Sequence, residues 1–284
     1  MASISELLRA ARQRLEGYSP TADVDARVLM AHCLNKPSSF LFTWPEHQPT
    51  DSEARLFQQW IARRVEGEPV AYLIGRREFY GHEFLVSPDT LIPRPDTELL
   101  VDMVLNHLDG NAPLRVADLG TGTGAIAISL ALARPAWQLF AVDMDAAIMD
   151  LVERNCHRLG AHNVQLVQSN WCEQLNDRFD AIVSNPPYIA EDDPHLEQGD
   201  VRFEPLTALA SGRDGLEDIR LIITQAVTRL VPGGLLAFEH GFDQAEEVRE
   251  LLREAGLTAL ASHRDMAGLE RVTLGFMPGA RHAD

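Results

Sequence analysis

Long apolar runs are missing from this sequence. The longest lies near Ala125–Ala133, about half the length a bilayer span requires. The opening residues, MASISELLRAARQRLEGY, hold no continuous apolar region of the secretory kind. Cysteine is scarce as well. Cys33, Cys156 and Cys172 are scattered and odd in number, which excludes a disulfide framework. The group Cys156, His157 and His162 matches no zinc-ligand spacing, so no metal is expected. Positive charge is short: 25 basic residues face 42 acidic ones, for a net charge of −17. Residues 1–75 are almost balanced, with 8 basic and 9 acidic groups, so the excess resides in the remainder. Such an acidic body suits a basic protein surface better than a phosphate backbone. Neither direct nucleic-acid binding nor a membrane partner is expected, and the reading is a cytoplasmic protein. Its 45 % apolar content is ample for a buried core.

The first 75 residues read as helices. Leu7, Leu8, Ala11 and Leu15 recur at helical spacing, as do Val24, Val28, Leu29 and Cys33, and then Leu56, Trp60 and Ile61. Thr21 or Asp23 is a candidate cap for the second helix, and Asp51 or Ser52 for the third. The stretch REFYGHEFLVS, Arg77 to Ser87, alternates around Gly81-His82 and predicts a hairpin. Pro95 suits the first turn of a helix over Asp96–Leu108. From Leu114 strand and helix patterns alternate, with strands expected at Leu114–Leu119, Gln138–Asp143, Val164–Gln168, Asp180–Ser184 and Leu235–Glu239. That is the pattern of a mainly parallel α/β sheet. The tail differs: LTALASHRD and ERVTLGFM, joined near Gly268, predict an antiparallel pair at one edge.

Two stretches carry chemistry. In VADLGTGTGAIAISLALA, Gly120, Thr121, Gly122, Thr123 and Gly124 lie between a strand and a helix. Glycines there permit a tight turn and close approach of a ligand to the backbone. Asp143 ends the next strand, where a carboxylate can accept both hydroxyls of a ribose; it can equally cap the following helix. These features favour a nucleoside-bearing cofactor and leave NAD and S-adenosylmethionine open. The second stretch is Asn185-Pro186-Pro187-Tyr188, after the strand-like Ala181-Ile182-Val183. A planar NH2 group, such as a carboxamide or the adenine amine, is a weak nucleophile, so its methylation needs alignment more than a base. Asn185 Oδ1 and the Pro186 carbonyl can each accept one N–H and so aim the nitrogen. They also stabilise the positive charge that grows on it. Proline presents a carbonyl on a backbone of fixed φ with no donor of its own. Tyr188 can pack on a planar amide or base. A dehydrogenase has no use for this group, so the pair of motifs predicts an amino methyltransferase.

Taken with GEPVAYLIGRREFYG, LIPRPDTELLV, DLGTGTGAIAI, SNPPYI, VRFEPLTAL, FEHG and ERVTLG, the chain resembles the PrmC/HemK release factor glutamine methyltransferases over almost its whole length. The NPPY motif alone is shared with adenine methyltransferases of DNA and RNA, whereas IPRPDTE with RFEPLTAL is far more specific. The resemblance implies a class I S-adenosylmethionine-dependent methyltransferase fold with a Rossmann-like seven-stranded sheet. It implies a helical substrate-recognition domain over residues 1–75, a hairpin linker over 76–90 and a methyltransferase domain over 91–284. It further implies methyl transfer to the Gly-Gly-Gln glutamine of peptide chain release factors, with S-adenosylhomocysteine as the other product. By matching position, residues 120 to 124 surround the cofactor, Asp143 binds its ribose and Trp171 flanks its adenine. Asn185 to Tyr188 hold the glutamine, with Asn185 also near the cofactor. One departure is Asn170, where the family often has aspartate; an asparagine oxygen can still accept from the adenine amine.

Two features stay open in the sequence. The acidic run Glu191, Asp192, Asp193, Glu197 and Asp200 reads as a solvated loop or as a loop that attracts a basic protein. Arg94 reads as a cover for the site or as a surface charge. The competing functions are an adenine methyltransferase, which would need a cationic surface for nucleic acid, and a non-enzymatic cofactor-binding scaffold, against which an intact NPPY stands.

Overall fold

The computed structural model describes residues 2–279, which form two compact units. The smaller comprises the described residues up to Arg76 together with Glu197–Phe203. It holds five helices: α1 (Ile4–Leu15), α2 (Ala22–Cys33), α3 (Ser38–Thr43), α4 (Asp51–Val65) and α5 (Val70–Ile74). Their apolar faces meet in a core that includes Ile4, Leu15, Leu29, Phe57 and Ile61. One cap differs from expectation and one falls on an expected residue. The cap of α4 is Thr50, in a reciprocal capping box with Glu53, so Asp51 and Ser52 fall inside the first turn. For α2 the cap position is Thr21, as expected, but its side chain bonds no backbone N–H of the helix; its hydroxyl donates to the Asp25 side chain. Arg64 is buried and bonds Asp25 at 2.7 Å and Asp200 at 2.7 Å. Asp200 is therefore an ion-pair partner of a buried guanidinium rather than a member of a freely solvated acidic loop.

The larger unit begins at Arg77, inside the hairpin of β1 (Arg76–Phe79) and β2 (His82–Leu85). Its turn is Tyr80-Gly81, one residue earlier than the pattern suggested. Both residues have positive φ, 51° and 74°, which is the turn geometry that matches the twist of a two-residue hairpin. Phe79 and Phe84 enter the core of this unit, and Asn155 bonds both the Leu85 N–H and its carbonyl.

The sheet consists of β3 (Arg115–Leu119), β4 (Gln138–Asp143), β5 (Val164–Gln168), β6 (Phe179–Ser184), β7 (Leu230–Glu239), β8 (Thr258–Arg264) and β9 (Glu270–Phe276). Its order is β5-β4-β3-β6-β7-β9-β8, parallel except for β9, which runs antiparallel to both neighbours. Successive residues of the strands face opposite cores. Val116, Ala141 and Val183 pack under α6 (Glu98–His107), α7 (Ala125–Ala133) and α8 (Ala146–Leu159). Ala117, Phe140 and Ile182 pack under α9 (Glu217–Ala226) and α10 (Ala245–Glu254). Burial on both faces explains the near-continuous apolar strands and helix α7, apolar on every side. Pro95 opens a 3-10 turn, Pro95–Thr97, before α6 begins at Glu98. β7 starts five residues earlier than expected, because Pro232 falls beside the register shift between Phe179 and Ala181, a position where a proline is tolerated. No helix among the described residues is long and apolar enough to cross a membrane.

Candidate active site

The chain winds outward from β3 through β4 to β5, then crosses back to β6 on the other side of β3. Open α/β sheets bind ligands at the carboxyl ends of the two strands flanking such a reversal. Here the last paired residues are Leu119 and Ser184, locked by the Ser184 hydroxyl donating to the Leu119 carbonyl at 2.7 Å. Beyond them the chains diverge into Gly120 and Asn185. A cavity of about 740 Å³ opens there.

On the β3 side, Gly120, Gly122 and Gly124 have φ of 68°, 54° and 81°, which side chains rarely adopt. Their surroundings differ. A Cβ on Gly120 would meet Trp171 Cζ3 at 3.0 Å, whereas one on Gly122 would meet no protein atom within 4 Å. Gly122 therefore presents bare backbone to the cavity. Gly124 does not line the cavity; it starts α7, and its Cβ would strike Ile128 Cδ1 at 2.9 Å and Val152 Cγ1 at 3.0 Å. Thr121 and Thr123 line the cavity. The Thr121 hydroxyl donates to Asp118 Oδ2 at 2.6 Å, and the Ala127 N–H donates to the same oxygen at 3.1 Å. Asp118 thus ties the turn to the helix that follows. Its complete burial pushes the carboxyl up to about 7, against those two hydrogen bonds.

Asp143 closes β4 at the cavity wall. It accepts the Gly122 N–H at 3.2 Å and the Asp145 N–H at 3.3 Å. Burial holds its carboxyl above the usual range. The cap of α8 is Asp145, which accepts from the Ala147 N–H at 2.8 Å, so Asp143 is not engaged as a helix cap. Trp171 lines the cavity half-buried with a left-handed backbone, φ 50°, while the core tryptophan is Trp137. Asn170 also lines the cavity and donates to Glu173 Oε1 at 2.9 Å.

On the β6 side, Asn185 and Pro187 line the cavity, and Pro186 and Tyr188 do not. The Asn185 Nδ2 donates to the Thr97 hydroxyl oxygen at 3.1 Å. Its Oδ1 is buried and has no hydrogen-bond partner in the protein. An amide oxygen in that condition is costly unless a ligand donor meets it. Tyr188 is turned to Glu239, donating to Oε1 at 3.3 Å, and burial raises its hydroxyl. The ring expected against a planar substrate is thus engaged through its hydroxyl inside the protein. Arg94 lines the cavity and pairs with the fully buried Glu204 side chain at 2.5 Å. This pair ties IPRPDTE to RFEP, so Arg94 is a strut of the cavity wall rather than a surface charge.

Sequence reasoning missed Asp118, Thr97 and Glu239. Each lay in a quoted segment, but only the fold shows what they touch. Among the described residues, no group of three or more His, Cys, Asp or Glu side chains is arranged to hold a metal ion.

Residues 6–75 match the family described as the PrmC N-terminal domain, and residues 96–200 match the methyltransferase small domain. A release factor glutamine methyltransferase of Pseudomonas aeruginosa is 51 % identical over 90 % of this chain and 93 % of its own length. Its counterpart in Bordetella pertussis is 48 % identical, over 89 % of this chain and 94 % of its own. The chain belongs to the release factor glutamine methyltransferase family. Solved structures agree on the fold. A methyltransferase from Pyrococcus furiosus is 18 % identical with a TM-score of 0.54, covering 78 % of this chain and 100 % of its own. A 16S rRNA methyltransferase of T. thermophilus is 21 % identical with a TM-score of 0.51, covering 71 % of this chain and 49 % of its own. The seven-stranded sheet with its antiparallel β9 is accordingly the class I methyltransferase fold expected from the sequence.

Proposed function

We propose that this chain transfers a methyl group from S-adenosylmethionine to the side-chain amide nitrogen of the Gly-Gly-Gln glutamine of peptide chain release factors. The observation that carries the reading is Asn185 Oδ1, a buried acceptor without a protein partner at the rim of a cavity whose opposite wall is a glycine turn. A primary amide brings two N–H donors. Asn185 Oδ1 takes one and the carbonyl of Pro186, which sits between the lining residues Asn185 and Pro187 without itself lining the cavity, is the acceptor assigned to the other, which leaves the nitrogen lone pair aimed across the cleft. Both acceptors gain strength as positive charge develops on nitrogen. The cofactor, when bound, supplies an electrophilic methyl group on a sulfonium. The bare backbone of Gly122 suits close approach of such a ligand, as do the lining positions of Gly120, Thr121 and Thr123. Asp143 suits its ribose hydroxyls, and Trp171 the face of its adenine. Gly124 serves by shaping the turn. The methylated nitrogen is acidic and loses its proton to water.

In this reading residues 1–75 recognise the substrate, the 76–90 hairpin follows, and residues 91–284 carry the chemistry in the cytoplasm, where release factors act. The net charge of −17 favours a basic protein surface over a polyanion. The test is methyl transfer with labelled S-adenosylmethionine. Purified release factor is expected to gain one methyl group on its Gly-Gly-Gln glutamine, and duplex DNA and unmodified RNA none. Labelled adenine with an unlabelled release factor would overturn the reading.

A further inference from the structure

We infer that Gln244 is a positioning residue: its side-chain amide clasps the Tyr188 carbonyl and so sets the acceptor pair of Asn185 and Pro186 toward the substrate amide. The inference rests on the acceptor reading of Asn185 given above and asks what holds the far end of that loop. The near end is fixed by the sheet, where Ser184 pairs with Leu119 on one side and Phe238 on the other. Asn185, Pro186 and Pro187 then run beyond the end of β6. The two prolines fix their own φ but leave ψ open, and they supply no N–H to anchor the loop. The direction of the Pro186 carbonyl therefore depends on how Tyr188 is held.

The peptide that joins Tyr188 to Ile189 is gripped at both poles. The Ile189 N–H donates to the Leu209 carbonyl at 2.9 Å, and the Tyr188 N–H donates to the same oxygen at 3.2 Å. On the other pole, the Tyr188 carbonyl accepts from Gln244 Nε2 at 2.9 Å. The same nitrogen donates to the Asp214 carbonyl at 3.3 Å, and Gln244 Oε1 accepts from the Gly241 N–H at 2.8 Å. One side-chain amide thus joins three backbone segments. Its orientation follows from its partners. The two carbonyls can only accept and the N–H can only donate, so Nε2 faces the first pair and Oε1 the last.

The fold makes room for this clasp and gives it a rigid base. Gly215 is buried, with φ of 73°. A Cβ there would overlap the Tyr188 carbonyl oxygen and lie 2.8 Å from Gln244 Nε2. Only glycine lets the backbone at Asp214 and Gly215 close over that carbonyl. Gln244 directly precedes α10, and its own N–H returns to the Gly241 carbonyl at 3.0 Å. Helix α10 is seated by the buried Ala245, Val248 and Leu252, and a side chain carried on a packed element holds its place. Gln244 does not line the cavity, so it acts through the loop rather than on the substrate. A shift of about 1 Å at a reacting group is enough to cost about 100-fold in rate.

The experiment compares full-length wild type, Gln244→Glu, Gln244→Leu and Asn185→Ala in methyl transfer to purified release factor. For each, kcat, the KM for release factor, cofactor affinity by calorimetry and melting temperature are read. Gln244→Glu keeps the shape and the bond from Gly241 but sets an acceptor against two carbonyls. It is expected to lose about 10- to 100-fold in kcat. Gln244→Leu loses the clasp without that repulsion and should lose about 10-fold. Cofactor affinity and KM should stay within about twofold in both, a split that a merely structural role would not produce. The order matters as well, because a role in packing alone would make the isosteric Gln244→Glu the milder change. If Gln244→Leu does not fold, Gln244→Glu carries the test. Wild-type kcat in Gln244→Glu, with Asn185→Ala inactive, overturns the clasp and leaves the acceptor reading standing. Losses of kcat matched by weaker cofactor binding, or recovered by assay further below the melting temperature, also overturn it. Wild-type turnover in Asn185→Ala instead removes the acceptor reading itself.

Discussion

Along the β3–β4 lip of the cleft, the groups that face the cavity come from turns directly after their strands: Gly120 to Thr123 after β3, and Asp143 at the end of β4. Along the β6–β7 lip, one short loop supplies Asn185, but its support comes from Thr97, 88 residues before it, and Tyr188 of the same loop is held by Glu239, 51 residues after it. The first lip works through backbone and needs residues that get out of the way. Its most informative positions are glycines, where a side chain would either clash or fill the opening. The second works through the polarity of side-chain hydrogen bonds, so it needs particular atoms held in one direction. A lip made of backbone tolerates changes around it and fails when volume is added. A lip made of directed side-chain hydrogen bonds fails when one donor or acceptor is changed without any change of volume.

The largest effect is expected on the β6–β7 lip. Asn185→Ala should lower methyl transfer about 100-fold or more, as does loss of one preorganised transition-state partner, with cofactor binding nearly intact by calorimetry. Asn185→Asp sharpens the contrast. Because Nδ2 donates to Thr97, the aspartate removes that donor and adds a charge near buried Glu239, so both variants should be crippled. An aspartate variant with much more activity than alanine would mean the NH2 is idle and the two lips are less different than drawn.

On the other lip, Asp143→Ala should weaken S-adenosylmethionine binding by about 2–3 kcal/mol if two charge-assisted hydrogen bonds go. Turnover at saturating cofactor should hold. Unchanged affinity by calorimetry would reduce Asp143 to a brace for Gly122. Gly124→Ala is expected to cost stability rather than chemistry, about 2 kcal/mol in denaturant unfolding, from the left-handed backbone and the contacts with Ile128 and Val152. A stable protein with lost cofactor affinity would move Gly124 into the binding surface. The smallest effect is expected for Asn170→Ala, within about 1 kcal/mol of cofactor affinity. A larger loss would make Asn170 a principal contact of the adenine.

Legibility followed the same divide. The alternation of strands and helices was readable because parallel strands buried on both faces are continuous apolar runs, and the glycine turn because positive φ leaves few residues to choose from. The helices α3 and α5, six and five residues long, escaped notice because so short a segment shows barely one period of helical spacing. The cap of α4 was misplaced by one or two residues, since Thr50, Asp51 and Ser52 are all competent caps and only the path of the chain selects among them. The Tyr188 ring suits a planar amide by its chemistry; that its hydroxyl is held by Glu239 and that it does not line the cavity are legible only in the fold.

The sequence by itself determined the class of fold, the position of the cleft at the ends of β3 and β6, and the type of reaction. These depend on local rules: strand periodicity, the conformational demands of glycine and proline, and the chemistry of an amide beside two carbonyls. Only the tertiary structure decided which atoms of that amide face the cavity, that Arg94 is a strut, that Asp118 braces the glycine turn and that Glu239 is buried against the Tyr188 hydroxyl. Burial and hydrogen-bond direction arise where distant segments meet, and a carboxylate in FEHG or VADLG reads like any other until packing removes it from water.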